Sequence, residues 1–455
     1  MRSFDVVVIG AGPGGEVAAG RLADAGLDVA IVEDRKVGGE CSFWACMPSK
    51  ALLRPAEALA EARRLPGAAE AAGGELDVAR VLERRDEVIH NLDDSAQLPW
   101  LEARGIALYR GWGRLDGDRR VVVGDETIEA RRAVLLAGGT TPMLPPIEGL
   151  RDAKPWTNRE ATTEHAIPDR LIVMGGGVVG VELSQAYNSL GAQVTLIEGG
   201  RRLLPREEQF ACDQVTEALA EQGVDIRTGQ TATAVKRDGD AVSVTLEDGD
   251  EVTGDELLVA VGRTPQVEGL GLESIGIEPD GYLEVDEHAL VPGRDWLYVI
   301  GDLNGRAAFT HMAKYQARVA CDHLLGTDSA AEHGADGPLA PRVIFTDPQV
   351  AAVGHTTKTA EEAGLTPRVV DVETSANAGG SFYGRGARGT SRFLVDEDRG
   401  VIVGATITGS EVADFLHAAT IAIVGEVPVT RLRHAVPAFP TRSEIWLRLM
   451  GELGL

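Results

Sequence analysis

Cys41 and Cys46 stand five positions apart in the run Gly38-Gly39-Glu40-Cys41-Ser42-Phe43-Trp44-Ala45-Cys46-Met47-Pro48-Ser49-Lys50. Two thiols at this spacing, with a lysine close behind, suit a disulfide that opens and closes during turnover. In an unbroken helix, residues five apart are separated by about 7.5 Å of rise. That exceeds the ~7 Å Cα limit for a disulfide. Pairing therefore requires Cys41 in a loop or a distorted first turn, and strained, accessible disulfides are the labile ones. The competing reading is a pair of reduced structural thiols or half of a metal site. No CxxC and no neighbouring Cys/His cluster completes a zinc set, and Cys212 and Cys321 are isolated.

The elements that must position this pair begin with a glycine-rich turn. Phe4–Ile9 reads as a buried strand, Gly10-Ala11-Gly12-Pro13-Gly14-Gly15 as the turn, Glu16–Ala25 as a helix, and Asp28–Val32 as a strand ending at Glu33. This is a complete dinucleotide fingerprint. Gly10 permits the tight turn, Gly12 lets backbone approach a pyrophosphate, and Gly15 allows close helix packing. Phosphate sits on the helix N-terminus, and Glu33 is placed to accept from a ribose hydroxyl. A nucleotide cradle followed by a cysteine pair suggests a flavin stacked beside a redox-active disulfide.

The unit recurs as Leu171–Met174, Gly175-Gly176-Gly177-Val178-Val179-Gly180, the helix Val181–Leu190, and Gln193–Ile197 closing at Glu198. Two nucleotide sites on one chain suggest an electron relay between two cofactors. Glu198 would accept from a free 2′-hydroxyl and repel a 2′-phosphate, favouring NAD over NADP; Arg201 and Arg202 nearby weigh against that preference. Leu52–Ala72 and Val81–Glu102 are predicted helices, and Tyr109–Val123 alternates like β structure. Ala133–Leu136 leads into Ala137-Gly138-Gly139-Thr140, and Leu257–Val261 into Gly262-Arg263-Thr264-Pro265. Trp296–Ile300 ends in Gly301-Asp302, where a carboxylate could bind a polyol hydroxyl. Thr310–Leu325 is a predicted helix, Gly326–Pro341 a linker, and strands alternate with helices from Arg342 onward.

A chain of 455 residues is too long for one core and implies about three domains. Apolar residues make up 44% and charged residues 25%, an ordinary α/β composition. The net charge of −26 disfavours nucleic acid and anionic membranes as partners. With no signal peptide or long apolar run apparent, a reducing, cytoplasmic setting is expected.

With the cysteine motif, both fingerprints and the Gly301-Asp302 strand end in place, the chain resembles the pyridine nucleotide–disulfide oxidoreductases. The group includes dihydrolipoamide dehydrogenase, glutathione reductase and mercuric reductase. Val343-Ile344-Phe345-Thr346-Asp347-Pro348-Gln349-Val350-Ala351-Ala352-Val353-Gly354 adds to the likeness, which spans essentially the whole chain. It implies an α/β fold with two Rossmann-like domains, for FAD and for NAD(P), plus a C-terminal α+β dimerisation domain. The implied boundaries are 1–148 (FAD, first part), 149–265 (NAD(P)), 266–335 (FAD and central, second part) and 336–455 (dimerisation). Gly10, Gly12, Gly15, Glu33, Gly39, Lys50, Gly113, Gly139, Asp302 and Thr310 would line FAD. Gly175, Gly177, Gly180, Glu198 and Gly262 would line the nicotinamide nucleotide. The likeness also makes Cys46 the flavin-proximal, charge-transfer sulfur and Cys41 the one that exchanges with substrate. Lys50 would lie near flavin N5 with Glu182 as its ion-pair partner, and the enzyme would be a homodimer.

Departures from the pattern are as informative. The family's disulfide reductases carry His-Pro-Thr-x-x-Glu near the C-terminus, and the histidine acts as general acid–base on the partner's exchanging thiol. Here Ala438-Phe439-Pro440-Thr441-Arg442-Ser443-Glu444 puts Phe439 in that place and leaves Glu444 without an imidazole. His434 is five residues upstream, and His311 matches a flavin-side histidine. Phe43, Trp44 and Ala45 suggest an apolar substrate face, and Leu453-Gly454-Leu455 lacks the C-terminal cysteines of mercuric reductase. Three functions fit: a dihydrolipoamide-dehydrogenase-like dithiol/disulfide oxidoreductase, an NAD(P)H-dependent reductase of quinones or other small acceptors, or a redox-sensing flavoprotein.

Overall fold

A computed structural model describes residues 2–327, 330–331, 336–384 and 386–455. Part of the expected linker, 328–329 and 332–335, lies outside the described residues. The chain divides into two compact units. One comprises Met1–Pro48, Asp86–Pro142 and Arg263–Pro338; the other comprises Ser49–Arg85, Met143–Gly262 and Leu339–Leu455.

In the first unit, the strand Arg2–Ile9 sits between parallel neighbours, Val29–Glu33 on one side and Glu126–Leu136 on the other. Its residues alternate between two cores. Val7 and Ile9 join Val32, Leu136 and Val299 on one face, while Val6 and Val8 join Ile31, Leu135, Ala18 and Leu22 on the other. A strand buried on both faces reads as an unbroken apolar run, and each buried valine contributes about 1.5–3 kcal/mol. Ala107–Arg110, Arg120–Val123, Gly113–Leu115 and Leu297–Val299 complete the seven-stranded sheet. The helices Pro13–Asp24 and Thr310–Leu324 cover the second face through Ala18, Leu22, Ala317 and Cys321.

The second unit holds the repeat of the fingerprint. Its parallel sheet runs Asp225–Thr228, Gln193–Glu198, Arg170–Met174, Glu256–Val259, beside the antiparallel Ala232–Asp238, Ala241–Leu246 and Glu251–Gly254. From Arg342 onward an antiparallel five-stranded sheet is built with Val401–Gly409 at its centre. Helices from the same segment, Leu416–Val424 and Ile445–Glu452, pack into its core through Leu416, Ala419, Ile445 and Leu449.

Two predicted helices are shorter than expected. The helix expected at Leu52–Ala72 runs Cys46–Arg64; Pro66 follows, and Gly67 takes a left-handed φ of 95°. The helix expected at Val81–Glu102 is Val78–Val88. His90, Asn91 and Leu92 then adopt positive φ, which an α-helix of L-residues does not tolerate, and a separate helix forms at Leu98–Ala103. Tyr109–Val123 resolves into the end of the strand Ala107–Arg110 and the two short strands Gly113–Leu115 and Arg120–Val123.

Candidate redox site

Both glycine turns are forced by close backbone approach. Gly10 and Gly175 have φ of 103° and 111°, conformations open to glycine. A Cβ on Gly15 would lie 1.9 Å from the Gly10 carbonyl oxygen, and one on Gly180 1.8 Å from that of Gly175. Gly12 and Gly177 behave differently: a Cβ there meets nothing within 4 Å. These two open positions, each at a helix N-terminus, leave room for a phosphate against backbone N–H donors.

Each fingerprint carboxylate also clamps its own turn. Glu33 accepts from the Ala11 N–H at 2.7 Å and the Arg35 N–H at 2.8 Å. Glu198 repeats this with Gly176 at 2.6 Å and Gly200 at 2.5 Å. Burial lifts the Glu33 carboxyl above its ordinary value, against the pull of its two backbone donors. Arg202 is committed to Gln209 and to the Pro205 and Glu207 carbonyls, while Arg201 is exposed.

The cysteine segment breaks where the spacing requires. Cys41 lies on a short helix, Gly39–Phe43, that ends at Trp44 (φ −137°, ψ 2°), and Cys46 opens the next helix. Gly39, at φ 63°, would press a Cβ to 2.7 Å from the Gly12 Cα, so this segment is seated on the first nucleotide turn. Both sulfurs are unbonded thiols in this structure. They are hydrogen-bonded to each other, and Cys46 Sγ lies 3.5 Å from Thr310 Oγ1. The bond to Cys46, then burial, hold the Cys41 thiol far above its ordinary range. Ionising both sulfurs would place two negative charges side by side.

Asp302 follows the strand Leu297–Val299 and accepts from Thr140 Oγ1 at 2.9 Å. Arg263 donates to Thr140 Oγ1 at 2.6 Å and to its carbonyl at 2.7 Å, and reaches Glu40 at 3.5 Å. The sequence reading named the motifs holding Thr140 and Arg263 but assigned neither residue to the site. Together they tie the Asp302 strand end to the residue preceding Cys41. Gly139 (φ 71°) provides the turn before Thr140. Gly113 is a packing glycine, since a Cβ would crowd Val32 at 2.9 Å and Ile9 at 3.2 Å. Gly262 has a φ of 140° beside Met143.

In the second unit Lys50 Nζ donates to Glu182 Oε2 at 2.6 Å, and the other Glu182 oxygen accepts from the Phe345 N–H at 2.9 Å. Lys50 Nζ also stands 4.8 Å from the centre of the Phe345 ring. Glu182 is almost fully buried, so its charge depends on these partners. Phe439 is 76% exposed, and His434 and His311 are exposed. Glu444 Oε2 is buried with no hydrogen-bond partner among the described residues. Beside it in sequence, Arg442 lies 4.2 Å and 4.5 Å from the ring centres of Tyr383 and Phe415.

Comparison with known proteins locates this arrangement. Residues 4–317 match the pyridine nucleotide-disulphide oxidoreductase family, and residues 340–450 match that family's dimerisation domain. A dihydrolipoyl dehydrogenase of Thermus scotoductus is 34% identical, covering 98% of this chain and 96% of its own. A mercuric reductase of Staphylococcus aureus is 29% identical over 97% of this chain and 81% of its own. Among solved structures, LpdA from Mycobacterium tuberculosis superposes with a TM-score of 0.86 at 26% identity, covering 99% of this chain and all of its own. The HOCl-induced flavoprotein disulfide reductase RclA of Escherichia coli shares the fold, with a TM-score of 0.88 at 24% identity and full coverage of both chains. Among the described residues no helix is long and apolar enough to cross a membrane. The chain belongs to the class I pyridine nucleotide–disulfide oxidoreductases, FAD-dependent enzymes that use NAD(P)H, and it carries their dimerisation domain.

Proposed function

We propose that this chain is an NADH-dependent reductase of small disulfides, of the dihydrolipoamide-dehydrogenase type, working through Cys41 and Cys46 in a cytoplasmic setting. The observation that carries this is the hydrogen-bonded thiol pair seated on the first nucleotide turn. The open face at Gly12, with Gly39 seated on it, fits FAD, which Gly10, Gly15, Glu33, Gly139 and Asp302 would also line, Thr310 being the α-helix residue that meets Cys46. When bound, FAD supplies the two-electron relay between nicotinamide and the thiols. Gly175, Gly177, Gly180, Glu198 and Gly262 would hold the nicotinamide nucleotide. With Arg202 engaged elsewhere, the Glu198 carboxylate favours a free 2′-hydroxyl.

The chain's own residues then divide the work. Cys41 attacks the substrate disulfide and Cys46 resolves the mixed disulfide. Lys50, held by Glu182, would supply the positive charge that favours reduced flavin. Phe439 occupies the position of the family's histidine and transfers no proton. NADH-dependent reduction of lipoamide by the holoenzyme tests the reading: Cys41→Ser should abolish it, and full activity in that variant would overturn it.

The exposed Phe439 ring favours a second reading, reduction of a quinone or similar acceptor, because such electron transfer needs no imidazole at the thiol. A quinone panel that gives rates no better than free FAD would end it.

A further inference from the structure

In the second unit, the segment 199–208 that follows Glu198 rests on the glycine turn at one end and on the C-terminal sheet at the other. At the turn, Leu204 has a φ of 49°, a left-handed conformation that a non-glycine residue holds only where its surroundings impose it. Its N–H donates to the Gly176 carbonyl at 2.9 Å. Leu203 fills the space beside the same glycine, its Cδ2 standing 2.6 Å from where a Gly176 Cβ would be. Both leucines are buried in the core around the parallel sheet. Glu198 holds the Gly176 N–H from the other side.

The far end of the segment is anchored outside the nucleotide fold. Glu208 immediately precedes the helix Gln209–Glu221, yet its side chain makes no cap to that helix. Its Oε1 instead accepts from the Thr357 N–H at 2.7 Å and the Thr357 hydroxyl at 2.8 Å. Its Oε2 accepts from Arg392 at 3.1 Å. Glu207 accepts from Arg342 Nε at 2.7 Å. Both carboxylates are only 6% exposed, and a buried carboxylate is costly to leave without its cation. Arg342, Thr357 and Arg392 stand on three separate elements of the region matched to the dimerisation domain.

We infer that Glu207 and Glu208 are positioning residues for the nicotinamide nucleotide. By tying the segment to the C-terminal domain, they force Leu204 into its left-handed turn and hold its N–H on Gly176. This rests on the reading that the second fingerprint binds that nucleotide. Freed at residues 207 and 208, Leu204 relaxes to negative φ and withdraws from Gly176. The backbone next to Gly177, the open approach to the helix N-terminus, then loses its fixed shape.

Calorimetry of NAD+ binding to the oxidised holoenzyme, with hydrogen exchange over residues 199–208, tests this. Glu208→Gln and Thr357→Val should each raise the Kd for NAD+ by roughly two- to thirty-fold. Amides of the segment should lose protection in parallel, while flavin content and kcat at saturating NADH stay near wild type. Thr357→Val, isosteric and half-buried, decides the matter where Glu208→Gln does not fold. Arg342→Met should weaken binding likewise, and Arg342→Lys, which keeps a cation for Glu207, should restore most of it. Variants that melt earlier but keep the wild-type Kd would overturn the inference while leaving the nucleotide reading intact. Wild-type NAD+ affinity in Gly177→Ala would instead remove that reading and this inference with it.

Discussion

At Glu444 a single carboxylate oxygen is buried without a hydrogen-bond partner among the described residues, and a buried acceptor left unmade costs about 1–3 kcal/mol. Five residues upstream, Phe439 presents an exposed phenyl ring. Phe439→His would introduce an imidazole that can carry a proton near neutral pH. The variant should reduce small disulfides at least ten-fold faster than wild type at neutral pH, with the rate of flavin reduction by NADH unchanged. Steady-state kinetics with lipoamide, paired with stopped-flow mixing, check this. A variant no faster than wild type would show that the thiol's proton is not what limits turnover.

At the scale of elements, the two βαβ turns separate glycines packed against backbone from glycines that face open space. Gly180 has no room for a methyl group, whereas Gly177 faces open space. Gly180→Ala should displace its helix, lower the melting temperature and abolish NADH binding. Gly177→Ala should melt like wild type yet raise the KM for NADH several-fold. Calorimetry with NADH titration distinguishes them, and equal melting temperatures would contradict the packing argument. This division explains what the sequence made legible. Turn glycines, strand runs and terminal glutamates are local patterns, so both nucleotide turns could be read from spacing alone. The Glu33 and Glu198 clamps also involve residues of the motif itself. The Asp302–Thr140–Arg263–Glu40 chain joins four distant segments, and no local pattern marks such a junction. The helix ends were misplaced at Gly67 and at His90–Leu92 because backbone conformation, not side-chain periodicity, stops those helices.

For the whole molecule, charge and exposed apolar surface pull in opposite directions. A net charge of −26 means that two copies repel, so association through the dimerisation domain must be driven by apolar burial. Within residues 340–450, matched to that domain, Val436 is 77% exposed and Ile421 56%, with Val424, Phe439 and Leu447 also exposed. Exposed large apolar residues gathered in one domain mark an interaction surface. Salt screens like-charge repulsion over a Debye length that shrinks from about 10 Å at 0.1 M to about 3 Å at 1 M. The homodimer should therefore persist, and its dissociation constant should fall, as salt is raised across that range. Ile421→Asp combined with Val436→Asp should yield monomers at micromolar concentration by light scattering, because each new carboxylate would have to be buried unpaired. Dissociation of the wild-type dimer on adding salt would mean instead that ion pairs hold it together, despite the shared charge of its subunits.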